Sequence, residues 1–379
     1  MVMIDVLIAG AGPVGLTAAI VLTQRGRRVQ VIDDQAAGAN TSRAAVVHAH
    51  TLELLAPYAV SRDLVARGIQ VPAFSIRDRD TTLLTVPFGR LPTPYPYTLM
   101  IPQADTEALL LGRLEQLGGH VLRPVALTDV SRHGDGITAV CADGREIRAR
   151  YLLGADGLHS TVRERAGIGF TGSTYADAFV LADVRLSGGL GAEEVILYFS
   201  PAGLVVVAPL PQGRHRIVAT VDEAPAEPDA AFVQHLLDER GPQAQRAVVE
   251  QIVWSSRFRV HHRIADTFRS DRMLLAGDAA HVHSPAGGQG MNLGIEDAVT
   301  AGEALDRVLD GAPESLLDAY ATERKRTAES VIALAGRLTD LATVPPGRRR
   351  LRNTALRMAG TLPAVRRAAA YRLSGVDRR

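Results

Sequence analysis

Six residues near the start of the chain, Gly10-Ala11-Gly12-Pro13-Val14-Gly15, restrict its fold more than any other stretch. An apolar run, Val6 to Ala9, leads into them, a helical run from Leu16 to Gln24 follows, and Arg28 to Ile32 reads as a second strand. This is a βαβ unit. The three glycines answer separate demands: a tight turn after the strand, close backbone approach to a pyrophosphate, and close packing of helix on strand. Phosphates placed there meet unpaired helix N–H groups and the positive end of the helix dipole, so no basic side chain is required. Asp33 closes the second strand 18 residues after Gly15, where a carboxylate can accept hydrogen bonds from ribose hydroxyls. Gly10, Gly12, Pro13, Val14, Gly15 and Asp33 are therefore assigned to a dinucleotide, with FAD and NAD both open on this motif alone.

A length of 379 residues exceeds one compact core, which implies two cooperating domains. Forty-two basic side chains against 41 acidic ones leave a net charge of +1, which argues against a surface built to neutralise nucleic acid. Cys141 is the single cysteine, which excludes an intrachain disulfide and any multi-cysteine metal site. It is compatible with a reducing compartment, and a cytoplasmic location is expected. The N-terminus lacks a basic lead and a sustained apolar core, so it does not read as a signal peptide. No stretch approaches the ~20 apolar residues of a membrane-spanning helix, so no integral membrane association is expected.

Residues 73–97 are proline-broken and alternating, as in an antiparallel hairpin, and 179–221 alternate like a meander with one buried face. From Met291 the apolar positions Ile295, Ala298, Leu305 and Leu309 follow a helical period. The expected division places 1–72, 98–172 and 266–379 in the nucleotide-binding domain with C-terminal helices. Residues 73–97 and 173–265 then form an inserted, mostly antiparallel sheet that binds substrate. Tyr198 and Phe199 on that sheet are candidates for the substrate pocket, with a plain core role as the alternative. Beyond Pro345-Pro346 the chain carries many arginines and almost no acid, interleaved with Leu351, Leu356, Leu362 and Val365. That pattern fits a solvated helical surface with one stripe packed on the body, or a contact with an anionic membrane or a subunit.

Three further segments stand in order along the chain: Tyr151-Leu152-Leu153-Gly154-Ala155-Asp156-Gly157, Met273-Leu274-Leu275-Ala276-Gly277-Asp278-Ala279-Ala280-His281, and Pro285-Ala286-Gly287-Gly288-Gln289-Gly290-Met291-Asn292. Together with the glycine turn they resemble the class A flavoprotein monooxygenases, the p-hydroxybenzoate hydroxylase family, close to its polyketide and phenol hydroxylases and without the thioredoxin-like C-terminal domain of many relatives. The resemblance implies an α/β fold: a Rossmann-like FAD-binding domain of the p-hydroxybenzoate hydroxylase type with the inserted sheet. It implies FAD as cofactor, NADPH or NADH as co-substrate, and hydroxylation of an aromatic or polycyclic small molecule by O2 through a flavin C4a-hydroperoxide, in keeping with secondary metabolism.

By the same resemblance Asp278, beside Gly277, takes a ribityl hydroxyl, and Asp156 links FAD to its surroundings. Arg43 and Gln103 match family contacts to FAD. Gly288, Gly290, Met291 and Asn292 border the flavin, and Pro285, Gly287 and Asn292 stand at its reacting edge. His50 stands where many relatives have arginine, which weakens a second phosphate clamp. No metal is expected: His281 and His283 read as packing groups, and Ser160 as a helix cap rather than a nucleophile. Epoxidation, quinone-precursor hydroxylation, or a flavin-binding protein without oxygenase turnover remain alternatives; a homodimer is a further option.

Overall fold

A computed structural model of the chain describes residues 3–38, 44–188, 190–191, 193–221 and 223–379, the side chains of 174–178 and 258–260 excepted. Arg43 lies outside the described residues. The chain opens with β1 (Ile4–Ala9), α1 (Pro13–Gln24), β2 (Val29–Ile32), β3 (Val46–Val47) and α2 (Ala49–Leu55). It continues with α3 (Ser61–Arg67), β4 (Ile69–Val71), β5 (Ala73–Asp78), β6 (Thr81–Pro87), β7 (Thr98–Met100) and α4 (Gln103–Gln116). Then come β8 (Val121–Leu122), β9 (Leu127–His133), β10 (Gly136–Cys141), β11 (Glu146–Gly154) and α5 (Thr161–Arg165). The long strands β12 (Phe170–Ser187), β13 (Glu194–Ser200), β14 (Gly203–Leu210) and β15 (Arg214–Val221) precede α6 (Ala230–Arg240) and β16 (Val248–Ala265). The chain closes with β17 (Arg269–Ser270), β18 (Met273–Leu275), β19 (His281–Val282), α7 (Gly290–Leu309), α8 (Ser315–Ala342), α9 (Arg349–Gly360) and α10 (Pro363–Ser374).

The first sheet runs β17-β18-β11-β1-β2-β8, and from β18 to β8 every pairing is parallel. Val6, Leu7 and Ile8 are all fully buried, which is why β1 reads as an unbroken apolar run rather than an alternating one. α1 starts at Pro13, three residues earlier than the apolar period suggested, because proline suits the first helical turn. α7 packs closely on α1: a side chain at Gly302 would meet Val21 at 2.6 Å and one at Gly294 would meet Val14 at 2.7 Å. A small sheet, β3-β7-β4, stands beside it.

The second sheet runs β19-β16-β12-β15-β14-β13-β5-β6, antiparallel throughout except where β13 pairs with β5. Its two faces bury different cores. One face, with Val180, Ala182, Val205 and Ile217, is covered by Val233, Leu236 and Leu237 of α6. The other, with Val195, Phe199, Leu204 and Ala208, packs with Ala45, Met100, Leu356 and Ala370. Asp183 and Arg216, cross-strand neighbours on this second face, form a buried two-pronged ion pair at 2.7 and 2.8 Å.

Strand alternation separates Tyr198 from Phe199. Tyr198 points to the α6 face, fully buried among the residues of that core, whereas its neighbour Phe199 points to the opposite face. Tyr198 is thus a core residue, its hydroxyl without a hydrogen-bond partner. Phe199 lies under the Arg352 guanidinium, 4.7 Å from the ring centre.

Candidate active site

Five parallel strands present their carboxyl ends side by side, the position at which open α/β sheets bind ligands. The turn Gly10–Gly15 follows β1, Asp33 follows β2, Arg123 follows β8, Asp156 follows β11 and Gly277 follows β18. The turn is steric in origin: a side chain at Gly15 would sit 1.9 Å from the Gly10 carbonyl, and one at Gly10 (φ +98°) would sit 2.2 Å from that of Ala155. Gly12, the N-cap of α1, differs: a methyl there would meet nothing within 4 Å, and no side chain caps the helix. An uncapped helix N-terminus facing open space is an anion site by construction.

Asp33 accepts the Ala11 N–H at 2.6 Å and the Gln35 N–H at 2.9 Å, so its carboxylate is aimed at the turn. Arg123, which sequence reasoning missed, donates to the Ala11 carbonyl at 3.2 Å and lies 3.8 Å from Asp33. Its Nε is buried without a hydrogen-bond partner. Gln103 bridges two segments, accepting from the Ala44 N–H and donating to Glu107. Asp156 accepts from Ser160 at 2.6 Å and the Val162 N–H at 3.0 Å, while Ser160 caps α5 through the Arg163 N–H. Burial raises the Asp156 carboxyl above its ordinary range, and those hydrogen bonds oppose the shift.

Gly277 adopts φ +62°, where a side chain would strike Val14 at 2.8 Å, and it presents Asp278 to solvent. Behind the turn lies a charge network that no local motif signals. Asp297 of α7 is fully buried; its Oδ2 accepts from the Gly277 N–H at 3.0 Å and lies 2.6 Å from His281 Nε2, while its Oδ1 takes the Arg324 guanidinium at 2.7 Å. Arg324 also reaches Glu296, which holds Arg378 at 2.6 Å. Burial pushes the Asp297 carboxyl up, but Arg324 and His281 outweigh it and hold it below the usual range.

The loop from Pro285 to Gln289 leads directly into α7. Gly287 (φ +82°) and Gly288 (φ +63°) occupy the left-handed region, and a side chain at Gly288 would meet Val46 at 2.8 Å. Pro285 is exposed; Gly290 and Met291 are half-buried. Asn292 is buried, and its amide is saturated. Oδ1 accepts from the His48 N–H and Thr51 Oγ1, and Nδ2 donates to the Val46 and Gly288 carbonyls. Its side chain therefore braces the loop against β3 and α2. His48 lies 2.9 Å from the Gly287 carbonyl, and His283 bonds the Ser284 carbonyl while its Nε2 stays buried and unpartnered. Burial lowers both imidazoles to about 4.

Residues 3–335 match the family described as FAD binding domain. The 6-methylpretetramide 4-monooxygenase of Streptomyces rimosus is 40% identical over 356 residues, covering 89% of this chain and 64% of the relative. The crystal structure of p-nitrophenol 4-monooxygenase from Pseudomonas putida superposes with a TM-score of 0.86 at 25% identity over 99% of both chains. This chain belongs to the FAD-dependent monooxygenase family. A further relative, the dialkyldecalin synthase of Streptomyces rugosporus, is 33% identical over 335 residues, covering 84% of this chain and 69% of that protein. The chain thus spans less than two thirds of the length of the first of these relatives.

FAD is the cofactor of this monooxygenase family, and the residues present fit it. The open approach at Gly12, the uncapped start of α1, and Arg123 Nε and His283 Nε2, both without a hydrogen-bond partner, all border the row of strand ends and the loop. Clefts of about 280 and 190 Å3 elsewhere are lined by neither. His281, His283 and Asp278 do not gather: His281 is committed to Asp297, and among the described residues no three metal-ligating side chains converge. No helix among the described residues is long and apolar enough to cross a membrane.

Proposed function

We propose that this chain hydroxylates an aromatic or polycyclic small molecule, using NADPH or NADH and O2, in a reducing compartment such as the cytoplasm. The observation that carries the reading is the tie between Gly277 and Asp297, which fixes the turn bearing Asp278 against the helix that begins at the glycine loop. That tie brings a sugar-binding carboxylate and a bulk-free loop to one edge of the dinucleotide row. Bound FAD supplies electron storage between the nicotinamide and dioxygen.

The chain's own residues have simpler tasks. The N–H groups from Gly10 to Gly15, with Pro13 and Val14 at the start of α1, bind the diphosphate, and Asp33 holds the adenosine ribose. Asp278 accepts from the ribityl chain; Asp156 and Gln103 fix the segments around it. Arg43 is assigned to the same cofactor on the resemblance alone. Gly287, Gly288, Gly290 and Met291 offer backbone against the ring, with Pro285 beside its reacting edge. The first N–H groups of α7 favour negative charge there, since the helix has no capping side chain. Asn292 positions this loop rather than touching substrate.

Residues 73–97 and 173–265 supply the substrate side, through the sheet face that carries Phe199 and the Asp183–Arg216 pair. The apolar residues of that face keep water from the reacting centre.

The dialkyldecalin synthase among the relatives favours a second reading, in which the site shapes a ring closure without oxygen transfer. Substrate-stimulated oxygen uptake with a product heavier by one oxygen atom supports hydroxylation. A product of unchanged mass formed without oxygen uptake supports the second reading instead.

A further inference from the structure

Large exposed apolar side chains are scarce among the described residues and unevenly placed. Among the described residues six are counted, and four of them, Leu351 (72% exposed), Met358 (68%), Leu362 (53%) and Val365 (37%), fall on α9, α10 and the turn between them. Leu351 and Met358 lie seven residues apart on one helix face. The opposite face of α9 is fastened to the body. Arg352 donates to the Phe199, Leu341 and Ala342 carbonyls, Asn353 bonds Asp78, and Leu356 is buried. The apolar stripe is thus presented outward on a helix whose inward face is fully engaged.

Charge completes the pattern. From residue 341 to 376 the chain has eight arginines and no acidic residue. Arg349, Arg352 and Arg366 are spent on backbone carbonyls of the body, whereas Arg348, Arg350, Arg357, Arg367 and Arg372 are exposed around the stripe. A second copy docked by a twofold axis would set these arginines against each other, and the segment itself supplies no carboxylate to compensate. An acidic protein would meet the charge but not the stripe of flexible Leu and Met side chains. Both features suit lipid: apolar side chains sink to the headgroup boundary while guanidinium groups pair with phosphates.

We propose that α9 and α10 form a docking face for an anionic lipid surface, holding the protein peripherally with the substrate sheet toward the bilayer. The proposal does not depend on the reaction catalysed. The test is sedimentation of the FAD-loaded full chain with vesicles of phosphatidylglycerol and phosphatidylcholine, against vesicles of phosphatidylcholine alone.

Binding to the anionic vesicles alone, weakened by salt, is expected. Arg350→Gln with Arg357→Gln should lower the partition coefficient roughly tenfold or more, as should Leu351→Ser with Met358→Ser, while bound FAD and turnover in solution stay unchanged. The proposal is overturned if both double variants sediment as the parent does, or if the parent ignores anionic vesicles. Binding to soluble polyglutamate without vesicle binding would point to an acidic protein and overturn it too. So would a dimer, seen by light scattering, that Leu351→Ser with Met358→Ser dissolves.

Discussion

Asp297 and His281, 16 residues apart and both buried, stand with Oδ2 and Nε2 2.6 Å from each other, and the same carboxylate oxygen accepts the Gly277 N–H. One side chain of α7 thereby fixes the turn that presents Asp278. Asp297→Ala takes from the buried Arg324 guanidinium the closer of its two carboxylates, leaving Glu296 at 3.3 Å, and strips the Gly277 N–H of its acceptor, so a cost of about 2–4 kcal/mol is expected. Urea unfolding measures that loss, and flavin absorbance after gel filtration should show depleted FAD in the variant.

Gly12 and Gly15 separate a binding demand from a folding one. Gly15→Ala drives a methyl into the Gly10 carbonyl and should both destabilise the fold and abolish FAD binding. Gly12→Ala meets nothing in the protein, so apoprotein stability should change by no more than about 1 kcal/mol. Its methyl enters the space assigned to the diphosphate, and FAD titration should show much weaker binding. Equal FAD affinity in Gly12→Ala and the parent would contradict the close backbone approach.

Asn292 makes four hydrogen bonds that join the glycine loop to β3 and α2. Asn292→Ala should cost about 2–4 kcal/mol and loosen the loop. The sensitive readout is coupling: the ratio of hydrogen peroxide to hydroxylated product per NAD(P)H should rise. Asn292→Asp keeps the two acceptor bonds but turns a buried carboxylate oxygen on the Val46 and Gly288 carbonyls, so it should be at least as damaging as the alanine variant.

The glycine turn, Asp33 and the Gly277-Asp278 text were legible because each is contiguous and each residue type answers a local demand. Asp297, His281 and Arg324 were not. Their contact spans two helices and a short strand, and only the packing of α7 against α8 and β19 brings them together. Arg123 was hidden for the same reason, since its role follows from the order of β8 in the sheet. Tyr198 and Phe199 show the limit of pattern reading within a strand: alternation says that neighbours face apart, but not which face meets the ligand. Of Leu351, Leu356, Leu362 and Val365, only Leu356 is buried, so the stripe expected to pack on the body divides between packed and exposed positions.

The core placement of Tyr198 can be tested directly. Burial raises its phenol to about 12, and the hydroxyl has no partner. Tyr198→Phe should leave the substrate KM unchanged and should be neutral or stabilising by up to about 1 kcal/mol, because an unpaired buried hydroxyl is removed. Thermal unfolding and steady-state kinetics measure the two effects.

His48 and His283 impose a pH dependence. Both imidazoles are depressed from 6.5 to about 4 by burial, so the unfolded chain binds more protons than the folded one between these values. Each contributes stability on the order of 3 kcal/mol, present above pH 6.5 and lost as pH falls toward 4. Urea midpoints should drop between about pH 7 and about pH 4.5, and His48→Asn should shrink the drop.

The most direct test of the account is diffraction from crystals of the chain grown with FAD. The adenosine ribose is expected at Asp33, the diphosphate along Gly10 to Gly15, the ribityl chain at Asp278 and the ring against residues 285–291. Density for the ring elsewhere, or none at saturating FAD, would contradict it.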